Sequence, residues 1–181
     1  SCTDNFEQIN TNPNNPDKID PDYLFISSIV KTLQVMGGDA NWWFYANYTH
    51  QISMIGGSEP TYGYGIQDGY WTKFYVESLL PVYSIIRDYD NEPGFKNRFA
   101  ITKIWRSYLI SEMVAIWGPI PYAKACTGAL STPFDSELYI YKDLLTVLKD
   151  NVELIEGGEY TDSYPVAAEP LFGSDMEKWA R

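Results

Sequence analysis

Between Phe95 and Trp117 apolar residues cover almost the whole circumference of a helix: Phe99, Ile101, Ile104, Trp105, Tyr108, Leu109, Ile110, Met113, Val114 and Ile116 leave little of it for water. Such a helix is stable only when other elements wrap it. Apolar spacing elsewhere supplies those elements, with glycine marking their ends. Asp20 caps a first helix with Pro21 at its first position, and Ile26, Ile29, Val30 and Leu33 form one stripe before Gly37 and Gly38. A second helix runs from about Asn41 to Met54 and stops at Gly56-Gly57. The third begins at Tyr70, carries Trp71, Phe74, Tyr75, Val82, Ile85, Ile86 and Tyr89 near one side, and is expected to kink at Pro81 beside Glu77. The helix from Phe95 to Trp117 is the fourth. A fifth starts near Asp135 and repeats Leu138, Tyr141, Leu145, Leu148, Val152 and Ile155 before Gly157-Gly158, the spacing of a packing seam. The expected fold is all-α.

Three breaks in this pattern carry information. The stretch "IWGPIPYAKA" ends the buried helix abruptly: Gly118 can take the left-handed conformation that ends a helix, Pro119 forbids continuation, and Pro121 pushes Ile120 toward an extended shape. The result is a stiff strap, with Trp117 and Tyr122 placed to pin it to the core. "GGSEPTYGYGIQDGY" holds too many glycines for a helix and reads as a loop of about fifteen residues, a length that usually serves function. In "GSDMEKWAR", Ser174 and Glu177 have the spacing of a capping box. About two turns of helix then remain before Arg181, so the sequence is expected to stop inside a longer helix.

Charge and motif content narrow the chemistry. A net charge of -11 repels a phosphate backbone, so nucleic acid is not an expected partner. Every apolar segment is interrupted before the roughly 20 residues that a spanning helix needs. The one histidine, His50, cannot build a zinc site, and no serine lies in a G-x-S-x-G elbow. "DYDNEPGFKNRF" starts like a calcium loop with Asp88, Asp90 and Glu92, but Pro93 replaces the glycine and Phe99 the closing glutamate. It reads as a turn. With 24 acidic residues some carboxylate pair will lie at a hydrolytic distance by abundance alone, so no particular pair points to glycoside hydrolysis. No phosphate-cradling loop, cofactor motif, metal site or catalytic set is legible.

The aromatic content of 16% is what remains. Most rings belong to the helical stripes, but Tyr62, Tyr64 and Tyr70 lie on or beside the glycine-rich stretch, and one of Trp42 and Trp43 must point away from its helix's buried side. Flat rings with polar tips suit the C–H faces and hydroxyl edges of a sugar, and Gln51, Gln67 and Asp68 supply polar partners nearby. The same rings would equally serve as a contact surface for protein. Cys2 follows Ser1 and precedes the polar stretch "TDNFEQINTNPNNP", as in a flexible tether behind a lipid-modified cysteine. A leftover thiol or a Cys2–Cys126 disulfide are the other readings.

Three stretches, "SCTDNFEQINTNPNNP", "AIWGPIPYAKA" and "EPLFGSDMEKWAR", with "FDSELYIYKDLL" in support, resemble the N-terminal part of the SusD/RagB family of outer-membrane nutrient-binding lipoproteins. The resemblance implies tetratricopeptide-like antiparallel helix pairs with long loops, although the tetratricopeptide spacing of Trp, Leu, Gly and Tyr is not visible here. It implies residues 1–19 as a lipidated tether with acylated Cys2, and 20–181 as a SusD-like helical domain continued in a longer chain. A non-catalytic role follows from it: a surface-exposed protein, anchored to the outer membrane by lipid, captures oligosaccharides or peptides for a SusC-type TonB-dependent transporter. The runner-up is a helical scaffold or peptide-binding lipoprotein that contacts only protein.

Overall fold

The computed structural model describes residues 18–38, 49, 51, 68–158 and 162–181. The expected second helix lies outside these residues except at Thr49 and Gln51, which form a turn and a bend rather than helix, and most of the glycine-rich stretch lies outside them too. The described elements are α1 (Pro21–Leu33), α2 (Asp68–Thr72), a π-helical segment (Lys73–Leu79), α3 (Leu80–Tyr89), α4 (Lys96–Trp117), α5 (Glu137–Glu156) and α6 (Met176–Ala180). Among the described residues there is no strand, only an isolated bridge between Ile120 and Asp135.

Helix α1 begins as its sequence dictates: the Asp20 carboxylate accepts from the Asp22 amide at 2.9 Å, with Pro21 in the first turn. Its buried side overlaps the expected stripe at Ile29 but is rotated from it. Phe25, Ser28, Ile29 and Thr32 face inward, whereas Val30 and Leu33 are exposed. Rotation is set by partners: Ser28 Oγ donates to the Ser78 carbonyl at 2.7 Å and accepts from Trp105 Nε1 at 2.9 Å. Two small polar residues thus let α1 approach its neighbours closely, and a stripe chosen by hydrophobicity alone misses them.

Pro81 has neither an N–H for the Glu77 carbonyl nor room beside it. The chain answers by widening over Lys73–Leu79 into π turns, so that the Leu80 amide reaches back to the Tyr75 carbonyl. That shift brings Ser78 and Leu79 into the core beside Phe74, Val82 and Ile85.

Helix α4 is the axis of the fold, with Ala100, Ile101, Trp105, Leu109, Ile110, Met113 and Val114 buried. It packs between α3 and α5, while α1 lies on the π segment and α3. Its N-terminus has no local side-chain cap. Asp162, far along the chain, accepts instead from the amides of Asn97 (3.3 Å) and Arg98 (3.2 Å), meeting the positive end of the helix.

Two further expectations are corrected. On α5 only the first half of the expected seam faces outward, with Leu138 65% and Leu145 67% exposed and Tyr141 exposed as well; Leu148 and Val152 are half-buried, and Ile155 packs inward as expected, with Ile140, Leu144 and Asn151 beside it. The anchored start of α5 sets this rotation: Ser136 caps it by accepting from the Tyr139 amide, and Asp135 is fixed to the strap. The capping box at Ser174 and Glu177 does not form either. Ser174 adopts φ 63 and donates to the Tyr164 carbonyl, and Asp175 caps α6 by accepting from the Lys178 amide. Ser174 is held away because its own amide, like that of Phe172, donates to the fully buried Glu169 carboxylate.

Candidate functional site

Of the residues that the sequence nominates, Cys2, Trp42, Trp43, Tyr62, Tyr64 and Gln67 lie outside the described residues. Gln51 is exposed, and Asp68 is the first residue of α2. Tyr70, two residues on, is half-buried and packs against the hydrophobic core. Of the nominated set only Gln51, Asp68 and Tyr70 are described, and beside Tyr70 the structure shows what stands where the glycine-rich stretch enters α2.

That neighbour is Trp71, which sequence periodicity assigns to the core. Its ring meets Trp117 edge-on at 5.2 Å, Tyr75 at 5.0 Å and Phe134 in a stacked pair at 6.0 Å. The start of one helix, the end of another and the strap each contribute an aromatic residue. Contacts of this kind fix ring orientation as well as adding dispersion.

The strap itself is heavily tied down. Gly118 turns the chain with φ 73 and ψ -129, outside the left-handed helical region, a conformation that itself calls for glycine; a Cβ there would come within 3.2 Å of the end of the exposed Glu137 side chain, which a small shift would relieve. The Asp135 amide donates to the Ile120 carbonyl at 2.9 Å, and the Asp135 carboxylate accepts from the amides of Tyr122 (3.0 Å) and Ala123 (2.8 Å). Tyr75 adds a hydroxyl that donates to the Pro121 carbonyl at 2.7 Å. Tyr122 is buried, accepts from Arg106 and donates to the Asp143 carboxylate, while the Arg106 guanidinium lies over the Tyr83 and Tyr122 rings. Trp117 and Tyr122 pin the strap, as expected.

Between Trp71 and the strap lies a cleft of about 290 Å³, lined chiefly by Trp71, Tyr75, Pro121, Lys124, Cys126 and Thr132. Its described lining includes neither a carboxylate nor an imidazole. Cys126 is a free thiol whose pKa burial pushes up, so it stays neutral and weakly nucleophilic. The cleft offers flat apolar faces, hydroxyls and one ammonium, which is chemistry for holding a ligand. No sequence signal joins Trp71 to residues 121–132, because only the tertiary fold puts them together.

Burial also raises the hydroxyl pKa values of Tyr75, Tyr83, Tyr122 and Tyr164 above the ordinary 10.0, with Arg106 partly offsetting this at Tyr83 and Tyr122. Folding therefore favours the neutral phenols. Their contribution is complete below about pH 10 and is lost as pH rises through the higher folded values. Alkaline titration should show phenolate absorbance appearing together with loss of helical circular dichroism; early ionisation of these four within an intact helical fold would contradict their burial.

Comparison with known protein families finds a match over residues 13–181 to a SusD-like model, described as starch-binding and associating with the outer membrane. No curated protein matches the chain.

Proposed function

The chain belongs to the SusD-like family, and from that premise we propose that it is a non-catalytic cell-surface lipoprotein that captures oligosaccharides and delivers them to a SusC-type TonB-dependent transporter. The observation that carries this reading is the family match, which spans residues 13–181. In this reading residues 1–19 are the tether, acylated at Cys2, and residues 20–181 belong to the capture domain. Trp42, Trp43, Gln51, Tyr62, Tyr64, Gln67, Asp68 and Tyr70 are its candidate sugar contacts. The acidic surface, at net charge -11, supports a preference for neutral ligands.

Isothermal calorimetry against soluble starch, maltoheptaose and a set of peptides tests it. Saturable heat with at least one oligosaccharide is expected. A second reading, a scaffold or peptide-binding lipoprotein, draws support from the exposed Leu138, Tyr141 and Leu145 on α5, which suit contact with another protein. Binding of peptide alone, or no heat from a folded protein that still captures a transporter barrel, would favour that alternative. Mass spectrometry of the native protein decides the anchor, since an unmodified Cys2 amine is incompatible with acylation.

A further inference from the structure

We propose that the cleft between Trp71 and the strap is a binding subsite for one neutral sugar ring, built from residues that the sequence-derived set does not contain. The proposal rests on the glycan-capture reading and adds a location and a unit size to it. A volume of about 290 Å³ lies at the lower limit of small-ligand clefts, enough for one ring of an oligosaccharide and not for several.

The walls match a sugar ring on both of its chemical faces. Trp71 is half-buried and braced by Trp117, Tyr75 and Phe134, so stacking a ring on it requires little further ordering. Tyr75 presents its ring while its hydroxyl is engaged with the Pro121 carbonyl. On the strap, Lys124, Thr127 and Thr132 place an ammonium and two hydroxyls around the same space, donors and acceptors for sugar hydroxyl groups. Lys124 is the only cation among the described lining residues, and the chain is strongly acidic, which disfavours a phosphorylated or acidic sugar.

The backbone of this wall is also unusual. Cys126 holds φ 57 and Gly128 φ 79, two left-handed positions within three residues, and Cys126 bears a side chain that rarely adopts that conformation. The turn directly before it, over residues 122–125, is closed by the Ala125 amide on the Tyr122 carbonyl at 3.1 Å. Strained backbone held by surrounding contacts is a common property of ligand-binding loops. Here it points residues 124–128 at the cleft.

Cys126 lines the cleft and so reports occupancy. The rate at which iodoacetamide alkylates Cys126 in the full chain, followed by peptide mass spectrometry with and without maltoheptaose, is expected to fall severalfold at saturating sugar. A 5-fluorotryptophan-labelled protein gives a second readout, the Trp71 fluorine resonance, assigned with Trp71→Phe and expected to shift saturably. Thr132→Val, which keeps shape and removes a hydroxyl, should weaken binding severalfold while leaving the melting temperature unchanged. If calorimetry detects maltoheptaose while Cys126 alkylation, the Trp71 resonance and the Thr132→Val affinity are all unaffected, the cleft is not the subsite and the capture reading stands. Absence of binding to every oligosaccharide would overturn both. Should Cys126 prove unreactive without sugar, the Trp71 resonance alone decides.

Discussion

Phe25→Ala is expected to destabilise the folded chain by about 3–5 kcal/mol, the range for removing a fully buried phenyl ring. Phe25 has no exposed surface and lies flat on Tyr164, with ring centroids 4.2 Å apart and planes 3° from parallel. Trp179 meets the same ring at 6.3 Å, so one side chain joins α1 to the segment after α5 and to α6. The loss combines a cavity with a broken aromatic pair, which is worth about 0.5–1.5 kcal/mol beyond its area. Tyr164 would also lose the surface that positions its hydroxyl beside Thr102 Oγ1 at 2.8 Å. Urea unfolding followed by far-UV circular dichroism measures the effect. With a slope of about 2 kcal/mol per molar, a loss of about 4 kcal/mol lowers the midpoint by about 2 M. Phe25→Leu should recover more than half of that. A midpoint that hardly moves would mean that α1 does not pack on Tyr164.

Phe25 also shows where sequence reading stops. The existence and limits of α1 follow from local chemistry, an aspartate cap, a proline and a helical period, and all three act in the structure. Which side of α1 turns inward depends on Ser78, Trp105 and Tyr164, between 50 and 139 positions away, and nothing in residues 21–33 encodes their arrival. The same limit applies to α5, whose apolar residues are sufficient for two faces, so that its rotation is decided by the strap that holds Asp135. Carboxylates acting at a distance are illegible for a related reason. Asp162 caps α4 across 64 positions, and Glu169 binds two amides in its own turn, yet both look like surface acids in the sequence. For the candidate site, aromatic richness was visible at once, whereas Trp71 fits a core stripe as well as it fits a cleft wall. Its second role exists only because residues 121–132 fold back over it.

Asp135→Ala is expected to cost about 2–4 kcal/mol and to loosen the strap more than any other segment. The lost carboxylate accepts two amide hydrogens, those of Tyr122 and Ala123, and hydrogen bonds to an ionised acceptor are worth about 1.5–3 kcal/mol each. Ala123 is exposed, so water replaces part of its bond, but Tyr122 is buried and its amide has no such recourse. The bridge from the Asp135 amide to the Ile120 carbonyl is backbone and survives the substitution in principle. Without the carboxylate beside it, though, the strap is held mainly by Tyr75 on the Pro121 carbonyl and by the Tyr122, Arg106 and Asp143 group. Hydrogen exchange should therefore quicken first across residues 118–127, and any ligand bound against Lys124, Cys126 and Thr132 should leave faster. Asp135→Asn keeps one acceptor and should restore part of the protection. Because Ser136 caps α5 directly after Asp135, exchange in the first turn of α5 should rise with that of the strap. If the strap loosens while that turn stays fully protected, the two are held independently, and the rotation of α5 must have another cause.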